Sequence, residues 1–277
     1  MGPVALLTGT SSGIGLHAAV ELARRGHTVV ATMRDTGRAT RLREAADAAG
    51  VTLDVRPLDV TDHAAATALV EQVHADHGRL DVLVNNAGQG LVGTAEQLST
   101  ADVQAQLDVN YLGPVNLTRA ALPLMREAGE GRILTVSSVG GVVGQPFADA
   151  YCGAKFAVEG FMQSLAPVAR SVGVWVSVVE PAAVGSDFVD NGVRIAPGPY
   201  AAQLDAYLAR AAGSFANAQS AADAGAAVAD AATSAEYRFR WQTSEAARTF
   251  VGLSLADLDG SRVVDDTGTW IEPPTGA

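Results

Sequence analysis

A doubly wound parallel α/β sheet is the fold this sequence predicts, on three observations. Short β-branched runs alternate with amphipathic helical stretches from the first residues onward, the pattern of parallel strands joined by right-handed crossovers. Several runs are apolar without alternation, Val82-Leu83-Val84 and Val176 to Val179 among them, as strands covered on both faces are. A glycine-rich loop, Thr8-Gly9-Thr10-Ser11-Ser12-Gly13-Ile14-Gly15, follows the first run and opens the first helix.

The expected strands are Val4–Thr8, Thr28–Thr32, Thr52–Pro57, Val82–Asn85, Arg132–Ser137, Val174–Val179 and Tyr237–Gln242, about seven in one sheet. Helical periodicity covers Ile14–Arg25, Arg38–Ala49, Asp62–His77, Thr100–Glu127, Ala150–Val172 and Ala201–Ala232. No composition break divides the first 180 residues, so residues 1–277 read as a single Rossmann-type domain. From Val184 the chain changes character. Gly, Pro and Asp punctuate Val184–Pro199, and the Ala-rich stretch to Ala232 reads as a helical lid, 184–232, inserted before the last strand. The tail, 244–277, carries Phe250, Leu253, Leu255 and Leu258 at near-helical spacing and breaks at Asp259-Gly260.

Composition narrows the function classes. With 48% hydrophobic and 18% charged residues over 277 positions, the chain can bury a core without disulfide or metal. Thirty acidic against 19 basic residues, a net charge of −11, argues against nucleic acid or an anionic membrane as partner. Cys152 is the only cysteine, and no secretory leader or membrane span is read from the sequence, so a reducing cytoplasm is expected. His63, His74 and His77 lie with Asp62, Glu71 and Asp76 on one helix, which reads as a solvated face, and no metal site is expected. Trp175, Trp241 and Trp270 are too scattered for a stacking platform.

The glycine loop is the first chemical signal. Gly9 permits a tight turn, Gly13 lets backbone N–H groups approach a pyrophosphate, and Gly15 allows helix and sheet to pack closely. The helix N-terminus then points its dipole at the phosphates. At the end of the second strand an acidic residue would read the 2′-OH of NAD, but the sequence there is Ala31-Thr32-Met33-Arg34. Arg34 is therefore the candidate for the 2′-phosphate of NADP(H); its alternatives are a solvated surface residue or a pair with Asp35. Asp59, with Val60, opens a polar turn after the third strand and could accept from an adenine amino group, while Asp62 looks like a helix cap.

Tyr151-Cys152-Gly153-Ala154-Lys155 is the second signal, because a spacing of four stacks Tyr151 and Lys155 on one helical face. A phenol with a pKa of about 10 exchanges protons poorly at neutral pH, and a neighbouring ammonium is expected to lower that value. Lys155 is the only lysine, the other 18 basic residues being arginine. Ser138, just past the fifth strand, falls on the same carboxyl edge of the sheet, where ligands of open α/β sheets bind.

Thr8-Gly9-x-x-x-Gly13-Ile14-Gly15, Asn85-Asn86-Ala87-Gly88, Asn110, Ser138 and Tyr151-x-x-x-Lys155 together resemble the short-chain dehydrogenase/reductase family over about residues 3–190. Asn86 to Gly93, Ser138 to Gly141 and Pro146 to Gly160 resemble one branch, that of the type 1 17β-hydroxysteroid and photoreceptor retinol dehydrogenases. The resemblance implies Tyr151 as general acid, Ser138 as carbonyl hydrogen-bond partner, Lys155 on the nicotinamide ribose and Asn110 as anchor of a relay water. It further implies cofactor contacts from Gly9, Ser11, Ser12, Gly13, Ile14, Gly15, Arg34, Asp59, Val60, Asn86, Ala87, Gly88, Tyr151, Lys155, Pro181, Val184 and Ser186. Two positions depart from the family pattern: Ala182 stands where glycine is usual, restricting φ, and Ser186 replaces a threonine.

The expected function is NADP(H)-dependent interconversion of a carbonyl and an alcohol on a bulky, mostly apolar small molecule. Phe188, Tyr200, Tyr207 and Phe215 of the lid supply the apolar bias, unless they form its own core. The alternative is the same fold holding NADP structurally, as a non-redox enzyme or a cofactor-sensing regulator. The resemblance also implies a homodimer or homotetramer built on the Thr100–Glu127 and Ala150–Val172 helices.

Overall fold

Seven parallel strands form the central sheet of the computed structural model, which describes residues 2–186, the backbone of 193–194, and residues 198–272. They are β1 (Val4–Thr8), β2 (Thr28–Met33), β3 (Asp54–Pro57), β4 (Val82–Asn85), β5 (Gly131–Val136), β6 (Val174–Glu180) and β7 (Arg240–Gln242). Their spatial order is β7-β6-β5-β4-β1-β2-β3. The order reverses between β1 and β4, the switch point at which a crevice opens beyond the carboxyl ends.

Every residue of β1 and β4 is buried. Alternate side chains serve two cores, because successive residues of a strand point to opposite faces. Leu6, Leu83, Ile133 and Val176 pack with α3 (His63–His77), α5 (Gly113–Ala128) and α6 (Asp149–Arg170). Leu7, Val84, Leu134 and Val179 pack with α1 (Gly13–Arg24), α2 (Thr40–Ala49) and α8 (Ala221–Thr233). This two-sided burial is why those strands read as unbroken apolar runs.

Two expected helices are divided. The stretch from Thr100 is α4 (Thr100–Leu107), a π-helical turn over Asp108–Leu112, and then α5, with Pro114 in its first turn. The Ala-rich stretch is α7 (Ala201–Ala216) and α8, separated where Gln219 and Ser220 pair with Val184 and Gly185. α8 does not sit over the sheet edge as expected for a lid: Ala224, Val228 and Ala229 are buried in the core beside α1. Arg25 of the α1 end fixes it further, donating to Asp230 Oδ1 and Thr233 Oγ1, each at 2.8 Å. The tail forms α9 (Glu245–Leu255), capped by Ser244, and α10 (Ser261–Gly268), which the sequence did not announce. Phe188 lies outside the described residues.

Candidate active site

The glycine loop bends through two left-handed residues, Gly9 (φ +69°) and Gly13 (φ +60°), the second being the first residue of α1. Ser12 precedes α1 with an extended backbone and makes no capping hydrogen bond, and α1 has no acidic residue in its first turn. Its first N–H groups and its dipole are therefore available to an anion. A Cβ on Gly13 would lie 3.2 Å from Ser186 Cβ, so Ser186 borders this loop; a Cβ on Gly15 would lie 2.3 Å from Asn86 Nδ2 and 2.5 Å from Gly9 O. Asn86 needs that space. Its Nδ2 donates to Thr8 O (2.9 Å) and Gly9 O (3.0 Å), while the Asn86 and Ala87 N–H groups donate to Thr8 Oγ1, each at 3.0 Å. The end of β4 is thereby tied to the loop after β1.

Arg34 is exposed, one residue past β2. Asp35 caps the turn Thr36–Arg38 by accepting from Gly37 N (2.8 Å), and no Arg34–Asp35 pair forms among the described residues. Across the edge, Asp59 Oδ1 accepts from Thr61 N (2.9 Å) and Thr61 Oγ1 (2.7 Å). Partial burial works against the Asp59 carboxylate, yet those two bonds and the charge of Arg34 hold it below the ordinary range. Val60 is buried against Gly113.

At the other end of the crevice, Ser138 follows β5 with an extended backbone, and its Oγ accepts from Gly140 N (3.0 Å). Tyr151, in the first turn of α6, lies on the same corner: a Cβ on Gly140, two residues after Ser138, would stand 3.3 Å from Tyr151 Cε1. Lys155 is buried one helical turn later; its Nζ donates to Val136 O (3.0 Å) and lies 5.8 Å from the centre of the Tyr151 ring. Asn110, fully buried on the π-helical turn, clamps the loop after β4: Nδ2 donates to Gln89 O (2.9 Å), and Oδ1 accepts from Gln89 N (3.2 Å). A Cβ on Gly88 would stand 3.0 Å from Asn110 Oδ1 and 3.6 Å from Lys155 Nζ, so the glycine lets both side chains share one corner.

Electrostatics corrects one expectation. Burial, rather than Lys155, sets the direction of the Tyr151 shift in this structure. Burial pushes the phenol well above its ordinary value, and the Ser138 hydroxyl opposes this only in part. Burial likewise brings Lys155 down to about 8, with Glu159 acting in the opposite direction. Both charged forms lose water here, and the ammonium's hydrogen bond goes to a carbonyl rather than to the phenol. The outcome is a phenol held protonated beside a lysine that titrates close to neutrality.

Pro181 O accepts from Val139 N (3.0 Å), holding the loop that carries Ser138, and Val184 is buried. Ala182 causes no backbone strain, since Phe147 (φ +59°) is the only non-glycine at positive φ among the described residues. Phe147 packs on Tyr207 of α7, ring centres 5.8 Å apart. Burial, with Cys152 adding to it, pushes Tyr207 up to about 12, and Cys152 itself is buried and pushed up to about 11. Cys152 is thus a packed thiol. Among the described residues, no group of three or more His, Cys, Asp or Glu side chains is placed to hold a metal ion.

All these groups lie along the carboxyl edge of the sheet. The chain matches the short chain dehydrogenase family over residues 3–194. It belongs to that family.

Among relatives of this short-chain dehydrogenase, human 17-beta-hydroxysteroid dehydrogenase type 1 is 45% identical over 194 residues, which is 68% of this chain and 58% of the relative. Human retinol dehydrogenase 8 is 46% identical over 188 residues, 66% of this chain and 59% of the relative. The matched stretch thus spans less than two thirds of either relative's length. These are the two proteins of the branch that the sequence motifs resemble. A short-chain dehydrogenase from Streptomyces avermitilis superimposes with a TM-score of 0.81 at 30% identity, covering 97% of this chain and 96% of that one. A metagenomic short-chain oxidoreductase in complex with NADP gives 0.71 at 30% identity, covering 87% and 96%. A short-chain dehydrogenase/reductase from Burkholderia phymatum in complex with NAD gives 0.79 at 26% identity, covering 100% and 98%.

The short-chain dehydrogenase also contains a site its motifs did not announce. Glu159, Glu180 and Arg240 form a buried ionic group next to Ser137. The available signal was a glutamate four residues after Lys155, on the same helical face, and a second glutamate ending an apolar strand.

Proposed function

We propose that this protein is an NADP(H)-dependent oxidoreductase that interconverts a ketone or aldehyde and an alcohol on a bulky, mostly apolar substrate. The observation that carries the reading is the convergence of Ser138, Tyr151 and the buried Lys155 on one corner of the carboxyl edge, with Lys155 Nζ 5.8 Å from the Tyr151 ring centre.

The residues present fit a nicotinamide dinucleotide. The uncapped start of α1, reached through Gly9 and Gly13, suits a pyrophosphate, with Ser11, Ser12, Ile14 and Gly15 in the same segment. Arg34 suits a 2′-phosphate and the Asp59-Val60 turn an adenine. Asn86, Ala87 and Gly88 would line the middle, with Pro181, Val184 and Ser186 at the nicotinamide. When bound, the cofactor supplies or accepts the hydride.

The chain's own residues manage the substrate oxygen. Tyr151, kept protonated by burial, gives its proton to the carbonyl oxygen during reduction. Ser138 donates to the same oxygen, stabilising charge that develops on it. Lys155 holds the nicotinamide ribose, and Asn110 anchors the water that returns a proton towards Tyr151. Phe147 and Tyr207, packed on each other, would offer a substrate an apolar surface, in line with the steroid and retinol named for the two relatives. Exposed Phe156 and Val168 on α6 and Val172 just past it, with Val103 on α4, support association of copies through those helices.

NADPH consumption followed at 340 nm with a panel of ketones and aldehydes tests the reading. Turnover is expected with apolar carbonyls, and Tyr151→Phe is expected to abolish it while NADPH still binds. Absence of turnover with every carbonyl would leave cofactor binding without redox chemistry, and a fully active Tyr151→Phe would remove the proton-donor role.

A further inference from the structure

Two buried carboxylates and the partly buried Arg240 are left unused by the reaction proposed above. Glu159 is 2% exposed and Glu180 0% exposed. Ser137 Oγ donates to Glu159 Oε1 (2.6 Å), Arg240 donates to the other Glu159 oxygen and to Glu180, and Gln242 donates to Glu180. Gly141 makes room, since a Cβ there would be 2.5 Å from both Glu159 Oε1 and Ser137 Oγ. The group therefore bolts together α6 and the ends of β5, β6 and β7, immediately beside Ser138 and Lys155.

Charge balance gives the group a role. Two carboxylates share one guanidinium, which leaves one negative charge in excess when both are ionised. Uncompensated charge in a dry interior is unfavourable, and the cation nearest along the Glu159 face of α6 is Lys155, one turn away. From α6 the lysine faces Tyr151 and Glu159. From β5 it faces Val136 O, and from the π-helical turn it faces Asn110, which carries no charge. Among the described residues, Glu159 is the one carboxylate acting on it.

We propose that Glu159 is a positioning residue of this active site, its carboxylate oriented by Ser137 and Arg240 so that the buried Lys155 stays an ammonium. The effect on Lys155 stands by itself; the consequence for turnover rests on the Tyr151–Lys155 reading above. Burial brings Lys155 down to about 8 while Glu159 holds it up, so neutralising Glu159 lets it fall further. Glu159 is itself pushed up to about 7, by burial first and by Glu180, against Ser137 and Arg240. Its support for Lys155 is therefore present above about pH 7 and fades below it.

Because Lys155 is the only lysine, labelling with ¹³Cε-lysine gives one side-chain resonance whose titration reads this group directly. A midpoint near 8 is expected for the wild-type chain. Glu159→Gln should lower it by about half a pH unit or more, and Glu159→Asp, which keeps the charge, by much less. Should Glu159→Gln fail to fold, Ser137→Ala removes one donor from the carboxylate and should shift the lysine midpoint in the same direction. In turnover, the alkaline limb of kcat/KM should move to lower pH in step with the resonance. An unmoved midpoint in the variant that folds overturns the proposal. A shifted midpoint with no carbonyl reduced would instead refute the enzymatic reading and leave the Glu159–Lys155 coupling intact.

Discussion

Lys155 has to stay charged in a place that penalises charge. Unfolded, its ammonium titrates near 10.5; folded, near 8. Between those values the unfolded chain binds the extra proton, so this group makes stability rise as pH rises from about 8 to 10.5, and its full cost is present below 8. Lys155→Met should therefore abolish turnover yet be more stable at pH 7, by on the order of 1–3 kcal/mol. Urea unfolding at pH 7 and pH 10 checks this, and the advantage of the variant should shrink towards the higher pH. Arg34 poses a simpler residue-scale question. Exposed and free of Asp35, it is expected to discriminate by the 2′-phosphate, so Arg34→Ala should weaken NADPH by tenfold or more and NADH little. Equal losses for the two cofactors, measured by fluorescence titration, would take it out of that role.

At the scale of elements, close backbone approach decides what the pattern alone leaves open. α1 and α8 meet at Gly225, where a Cβ would lie 2.5 Å from His17 Cβ and 2.8 Å from the Ala18 amide nitrogen. Gly225→Ala is expected to destabilise by about 1–3 kcal/mol, because backbone cannot yield as a side-chain tip can. Gly213, on α7, has nothing within 4 Å of its would-be Cβ, so Gly213→Ala should gain a few tenths to about 1 kcal/mol from helix propensity. Urea midpoints of the two variants, moving in opposite directions, test this difference between two alanine-rich helices. The π-helical turn over Asp108–Leu112 belongs to the same scale. Periodicity predicts one helix through Asn110, and the extra residue of the turn leaves no mark on an apolar pattern. Its evident purpose is tertiary: it brings Asn110 against Gln89.

For the whole molecule, the C-terminal helices join two parts of the site that are distant in sequence. Ala247 and Val251 of α9 pack against Val139, Val142 and Val143, the segment that follows Ser138. Ser254 donates to Val142 O (2.5 Å). Trp270 stacks on Phe250, ring centres 5.5 Å apart, and Arg210 of α7 lies 4.9 Å from the centre of the Trp270 ring. The tail thus holds α7, with Tyr207, in place beside the corner that carries Ser138 and Tyr151. Trp270→Ala should raise KM for a carbonyl substrate several-fold while leaving NADPH affinity close to wild type. Steady-state kinetics beside a cofactor titration separates that result from general unfolding, which would lower kcat and NADPH binding together.

The sequence by itself determined the alternation of strands and helices along the chain, and it pointed to Gly9, Gly13, Tyr151 and Lys155 through local rules and to Asn86, Asn110 and the role of Ser138 through family resemblance. The local rules suffice for the former because period-two and period-3.6 burial, glycine conformation and i,i+4 spacing are written into neighbouring residues. Only the tertiary structure decided that Tyr151 is held protonated rather than made acidic, that α8 joins the core instead of covering the site, and that Glu159, Glu180 and Arg240 converge behind Lys155. Each of these depends on how much water a group loses and on which distant strand end it meets, and neither quantity is a property of any short stretch of chain.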